Sequence, residues 1–223
     1  MILVNDETYY GTLEILRGNK ELPNIFIELK DWLQREYQVE AYNFEFSEIK
    51  IGRTRKRFRL FVLLSSKCDY LSMWGNRGFD AKKQDAIAHK LKILAHKYSL
   101  KNIDTYKDVF VAFNDFSDEM KTDYIMRAFD LINEQLSNKY AIYSVWTIFR
   151  KFSTVVVFYN SEINITTNQF IGISKQIKDD FYEVLHRIDE FNLFTYENLD
   201  FRYDSKENLD NHYDGNLFYY FKR

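Results

Sequence analysis

The chain has 223 residues, with 31 Lys and Arg against 33 Asp and Glu, a formal net charge of −2 and one cysteine, Cys68. At 46% hydrophobic residues it can bury enough apolar surface to order itself, which excludes a disordered chain. A single cysteine excludes an internal disulfide framework and a thiolate-rich zinc site.

The opening MILVNDETYYG has no basic flank ahead of an apolar core, and no apolar run reaches the roughly 18 residues of a membrane helix. The expectation is a cytoplasmic protein with no membrane partner. Aromatics are abundant, at 20 Phe, 17 Tyr and 3 Trp. An AT-rich genome combined with ordinary core packing is a plainer account of that excess than a binding surface.

In chain order, the first predicted helix follows Pro23, a residue suited to a first turn, with Ile25, Leu29, Trp32 and Leu33 inward. Strands follow at Val39 to Phe46 and Arg57 to Leu64, rich in β-branched and aromatic residues. A short helix over Cys68 to Trp74 precedes a long one from Asp80 to Tyr98, striped by Ile87, Leu91, Leu94 and Tyr98. Val109 to Phe113 is the next strand, and the polar stretch Asn114 to Asp123 the candidate boundary.

The second half begins with a helix capped by Ser117, with Asp118 and Glu119 in its first turn. Ile125, Phe129, Ile132 and Leu136 form its inward stripe. Strands at Ile142 to Phe149 and Thr154 to Phe158 precede a single predicted helix from Asn168 to Phe191. Its stripe is Phe170, Ile173, Ile177, Phe181, Val184, Ile188 and Phe191. Strands at Leu199 to Tyr203 and Leu217 to Phe221 close the chain.

The pattern is α+β: two similar αββαβ units, mainly antiparallel sheets covered by helices. The first spans 1–116, with the basic hairpin and helix. The second spans 117–223, with an acidic C-terminal part, and is expected to pack closely on the first because no Pro- or Ser-rich linker separates them. Lys56 to Leu64 lies over Arg150 to Phe158, two cations leading into an apolar strand in each, so internal duplication is one origin of the pattern. The plainer reading is that any two α+β halves look alike at this level.

The net charge conceals an asymmetry. Between Lys50 and Lys101 there are 14 cations against Asp69, Asp80 and Asp85, whereas Asp179 to Asp214 holds 11 acids against three cations. One reading is an anion-binding surface built on Arg53, Arg55, Lys56, Arg57 and Arg59. The other is that basic and acidic segments neutralise each other within the protein or between copies of it.

Within the basic segment, Gly75-Asn76-Arg77-Gly78 precedes the long helix. Helix, two strands, short helix, GxxG, long helix and strand in that order resemble the bacterial-type KH arrangement. The resemblance implies RNA binding through Asn76, Arg77 and the arginine-rich hairpin. The isoleucines usual beside that loop are absent, replaced by Met73-Trp74 and Phe79-Asp80-Ala81, and the second half has no GxxG.

Catalytic motifs are lacking: there is no GxSxG, P-loop, HExxH, CxxC or dinucleotide fingerprint. Asp85, His89 and His96 could supply an orienter and bases, but their shared azimuth opposes the apolar stripe, as on a solvated face. His186 lies on the polar side of its helix, His212 in a predicted loop, and Cys68 reads as a small buried residue. No residue is assigned a catalytic role, and no cofactor or metal is implied.

The leading expectation is a non-enzymatic intracellular module that binds another protein, of the inhibitor or immunity type or an assembly component. Its docking face would be Asp200, Asp204, Glu207, Asp210 and Asp214. A nucleic-acid binder and an enzyme of unrecognised class are the alternatives, and a homo-oligomer is an open partner class.

Overall fold

A computed structural model describes residues 6–51, 55–100 and 109–222. It is α+β and divides into two compact units, Met1–Glu119 and Met120–Arg223, so the division falls inside a helix.

Unit 1 begins with α1 (Glu7–Leu16), capped by Asp6, and α2 (Asn24–Tyr37), which follows Pro23 and stops at Gln38 in the left-handed region. Strands β1 (Ala41–Ile51) and β2 (Arg55–Leu64) form an antiparallel hairpin. Helix α3 (Lys67–Ser72) and a small hairpin, β3 (Trp74–Gly75) with β4 (Gly78–Phe79), lead into α4 (Ala81–Lys97). Asp80 caps α4 by accepting from the Lys82 and Lys83 amides. Strand β5 (Val109–Asp115) then returns parallel to β2, giving the order β1-β2-β5.

Alternation along the strands sorts the two faces of this sheet. Leu60, Val62 and Leu64 of β2 join Val109, Val111 and Phe113 of β5 in one core with Ile25, Leu29 and Leu33 of α2 and Ile87, Leu91 and Leu94 of α4. The opposite face carries Arg57, Arg59 and Phe61 of β2 and Phe110, Ala112 and Asn114 of β5. Helix α1 is tied to the β1 side of that face: the Asn43 amide donates to the Thr12 hydroxyl at 2.9 Å, and Thr8 donates to Glu45 at 3.4 Å.

Unit 2 takes most of α5 (Phe116–Tyr140), which leads through a 3-10 turn, Ala141–Tyr143, to β6 (Val145–Lys151) and β7 (Thr154–Tyr159). Helices α6 (Glu162–Phe170) and α7 (Ile173–Ile188) precede β8 (Phe201–Ser205), which is parallel to β7. Ile177, Phe181 and Leu185 of α7 are buried, and Phe181 packs on Phe201. The other face, Val156 and Phe158, is covered by Leu209, Tyr213, Tyr220 and Phe221 from α8 (Lys206–Tyr213), α9 (Leu217–Tyr220) and the residue after it.

The two units repeat one topology. Each has an antiparallel hairpin whose first strand slips register at its start, and a third strand parallel to the second. The Ser65 amide bonds to the Glu40 carbonyl as the Asn160 amide bonds to that of Ser144. Ser66 and Ser161 then cap the next helix in each.

These pairings make Leu64 equivalent to Tyr159: Leu64 faces Ala41 and Asp115, and Tyr159 faces Val145 and Ser205. The sequence match of Lys56–Leu64 with Arg150–Phe158 is therefore out by one residue. A slip of one puts every matched side chain on the opposite face.

Other expectations are corrected. Leu217–Phe221 is not a strand: the Asn216 side chain accepts from the Phe218 amide at 2.9 Å and starts α9. The single helix Asn168–Phe191 is two, broken at Gly172 with φ +85°. Phe170, expected inward, is 91% exposed. Asp115, not Ser117, accepts from the Asp118 amide at the head of α5. His212 lies on α8 rather than in a loop, and Cys68 is exposed on α3 rather than buried.

Candidate functional site

Unit 1 contains a cleft of about 470 Å³ on the second face of its sheet, along the parallel pair β2 and β5. Its volume lies within the range of pockets that enclose a small ligand or an inserted side chain. Phe61, Phe110 and Ala112 contribute apolar surface, with Tyr70 and Phe79 at one end. Tyr70, Trp74 and Phe79 contact one another edge to face, and Phe79 meets Phe113 at 5.1 Å between centroids. That aromatic cluster braces the β3–β4 hairpin against β5.

The polar lining is unevenly satisfied. Arg59 donates from Nη2 to Glu45 at 3.0 Å and to Ser47 at 3.4 Å, and its guanidinium lies 4.9 Å from the Phe61 ring centre. Its Nε is buried with no hydrogen-bond partner among the described residues. Asn114 donates from Nδ2 to Glu119 at 3.2 Å, while its Oδ1 is likewise buried and unpartnered. Burial pushes the Glu119 carboxyl above the usual range, and the Asn114 hydrogen bond opposes this in part. A buried donor and a buried acceptor thus lie at the wall of one cleft, each an expense in free energy until something pairs with it.

The remaining basic candidates separate. Arg57 stacks over Phe110 at 5.5 Å. Arg55 and Lys56 begin β2, and Arg53 lies outside the described residues. Asn76 and Arg77 are the exposed turn of the β3–β4 hairpin, where Gly75 pairs with Gly78. The GNRG run therefore closes two strands instead of directly joining two helices. Unit 1 as a whole has 19 cations and 18 acids, so the basic segment is nearly balanced inside its own unit. Lys90 and Lys97 reach Glu28, holding its carboxyl below the ordinary range chiefly through the Lys97 hydrogen bond.

The acidic candidates are largely engaged within unit 2. Asp200 takes both a bidentate Arg202 and the Thr154 hydroxyl, and the Arg202 hydrogen bond lowers its pKa. Asp204 accepts from the Ser205 amide, from Asn208 Nδ2 and from the Tyr220 hydroxyl at 2.6 Å. Asp210 pairs with Lys206, and Glu207 accepts from the Glu162 amide at 3.2 Å. Asp214 is exposed at the left-handed end of α8. Asp200, Asp204, Glu207 and Asp210 thus support the local structure around β8 and α8.

Asp85, His89 and His96 are all exposed on α4, the solvated face their azimuth predicted. No group of His, Cys, Asp and Glu among the described residues could hold a metal ion, and no described helix is long and apolar enough to cross a membrane.

Sequence reasoning missed Asn114, Glu119 and the Phe61–Phe110 wall. A period-two signal for them existed, since Phe110, Ala112 and Asn114 alternate with the core residues Val109, Val111 and Phe113. Reading Asn114 to Asp123 as a polar boundary concealed it. No family model, curated protein or solved structure matches the chain.

Proposed function

We propose that the chain is a non-enzymatic module that binds another protein, with an inhibitory, immunity-type or assembly role. The observation that carries this reading is a group of exposed apolar side chains on and beside α6. Ile163 is 76% and Phe170 91% exposed; seven residues apart on a helix, they share one stripe. Ile171 follows, 52% exposed. The Asn168 amide donates to the Tyr143 carbonyl at 2.8 Å, holding the Ala141–Tyr143 turn, with its exposed Ile142, against α6. Large side chains displayed in this way cost solubility and supply the anchors typical of protein interfaces.

Affinity capture with the wild-type chain, after nuclease treatment, should retain a protein in fixed stoichiometry. Replacing Ile163 and Phe170 together by Glu should lose it, while Lys92→Glu on α4 should not. Retention by the double variant, or no stoichiometric protein with the wild type, would sink the reading.

One observation favours a second reading, nucleic-acid binding: Arg57 over Phe110 and Arg59 over Phe61 place cation–aromatic pairs on the second sheet face, next to the basic hairpin. Contacts to phosphates would release counterions. Binding to generic RNA should then fall steeply with salt and disappear when Arg55, Arg57 and Arg59 are all replaced by Ala. A flat salt dependence excludes it.

A further inference from the structure

We propose that the unit 1 cleft is a socket for a tyrosyl side chain of the partner polypeptide, its phenol donating into the Asn114–Glu119 pair. That the occupant is a polypeptide rests on the protein-binding reading above. The chemistry of the occupant rests on the cleft and on the other unit.

The repeated topology supplies the template. Asn114 faces Leu63 across the parallel pair, as Asp204 faces Phe158, so the two residues hold one position of the fold. In unit 2 that position is capped by the chain itself: the Tyr220 ring packs on Phe158 at 5.2 Å and its hydroxyl donates to Asp204. In unit 1 the counterpart of Phe158, Leu63, is already buried, and the cleft lies beside it, over Phe61, Ala112 and Phe110 next to Asn114.

The polar groups select a donor. Nδ2 of Asn114 is committed to Glu119, whose carboxylate can only accept when ionised, and this fixes the amide orientation with Oδ1 as the unused atom. Glu119 is partly buried with its charge poorly solvated, so an arriving hydroxyl stabilises it as well. The same pairing recurs elsewhere in the chain, Tyr98 donating to Glu28 and Tyr140 to Asp180. At the other end, Arg59 Nε requires an acceptor, which the carbonyl of a partner backbone provides. A phenylalanine ring fits the aromatic walls equally well but leaves the acceptors unpaired, so the socket discriminates by the hydroxyl.

The test titrates N-acetyl-L-tyrosine amide and N-acetyl-L-phenylalanine amide into the full chain, followed by amide NMR shifts. The tyrosine probe should shift Phe110, Ala112 and Asn114 saturably in the millimolar range, at least tenfold more tightly than the phenylalanine probe. Ala112→Trp, which fills the cleft, should abolish the shifts. Should that variant fail to fold, Asn114→Leu should instead bring the two probes to equal affinity. Equal affinity in the wild type, shifts centred elsewhere, or no saturation overturns the socket. Tighter binding of free tyrosine than of the blocked amide would assign a free amino acid as the source and overturn the polypeptide. The Ile163 and Phe170 double variant should bind the probe like the wild type, so failure of the α6 surface and failure of the socket are read separately.

Discussion

Asn114 and Asp204 occupy the same place in their sheets, each the penultimate residue of a third strand. Yet Asp204 receives the Tyr220 hydroxyl at 2.6 Å while Asn114 Oδ1 accepts nothing among the described residues. The difference lies in the segment after the strand. In unit 2 the short helices α8 and α9 fold back over Val156 and Phe158 with Tyr213, Leu217 and Phe221. In unit 1 the strand runs straight into α5, and a cleft stays open along β2 and β5. One topology thus ends in an aspartate capped by its own chain in one unit and in an asparagine with an unpaired oxygen beside a cleft in the other.

Closure in unit 2 depends on that hydroxyl. Tyr220→Phe removes the donor and leaves Asp204 with the Ser205 amide and the Asn208 side chain. A hydrogen bond to a charged acceptor contributes more than a neutral one, so unit 2 should lose about 1–2 kcal/mol. Urea denaturation should show a lower midpoint at unchanged slope. An unchanged midpoint would show that α9 contributes through its rings alone.

The cleft carries a pH signature. Glu119 has its carboxyl raised by burial, so in the folded protein it holds its proton to higher pH than in the unfolded chain. Its stabilising contribution is complete below the unfolded pKa and is lost as pH rises through the folded one. Above that window the buried charge works against folding. Glu119→Gln keeps an acceptor for Asn114 and cannot ionise, so it should raise the melting temperature at pH 7, by roughly 1–3 °C. The gain should vanish near pH 3.5. A variant less stable at both pH values would show that the carboxylate is favourably solvated.

Much of the core was legible in the sequence because periodicity reports burial. Ile87, Leu91 and Leu94 line α4, and Ile125, Ile132 and Leu136 line α5, as their spacing requires. Three features escaped for physical reasons. Aromatic content at Leu217–Phe221 signals a strand, but a strand needs a partner edge, and the Asn216 cap decided for a helix. The apolar stripe from Phe170 to Phe191 crosses Gly172, whose left-handed backbone breaks the helix without disturbing the pattern. The unpaired oxygen of Asn114 at the cleft wall escaped because a missing partner leaves no trace in a sequence.

The Gly172 break has its own consequence. Its φ is +85°, and a Cβ added there would meet nothing within 4 Å. Gly172→Ala should therefore cost only the left-handed backbone term, about 1–2 kcal/mol. Gly172→Asn should cost less, since asparagine tolerates that region. If Gly172→Ala were neutral, α6 and α7 would have to join by a continuous helix. Far-ultraviolet circular dichroism would then show a gain in helix, and Ile163 and Phe170 would be turned away from their present stripe.

Phe152 presents the opposite case. It sits in the turn joining β6 to β7, where Lys151 pairs with Thr154, with φ +52° and 66% of its surface exposed. A bulky residue gains nothing from that backbone region, and hairpin turns with a positive φ at their first position favour glycine. Phe152→Gly should therefore stabilise unit 2 by about 1 kcal/mol, since relief of the left-handed strain outweighs the added freedom of the unfolded chain. Lys151 Nζ lies 5.9 Å from the ring centre, a distance at which an exposed cation–π contact contributes about 0.5 kcal/mol. Denaturant midpoints of the two proteins decide the sign. A more stable Phe152→Gly variant that also loses the captured protein would make Phe152 a second anchor, retained at the expense of stability. A less stable one would mean that the ring packs on the sheet end in solution.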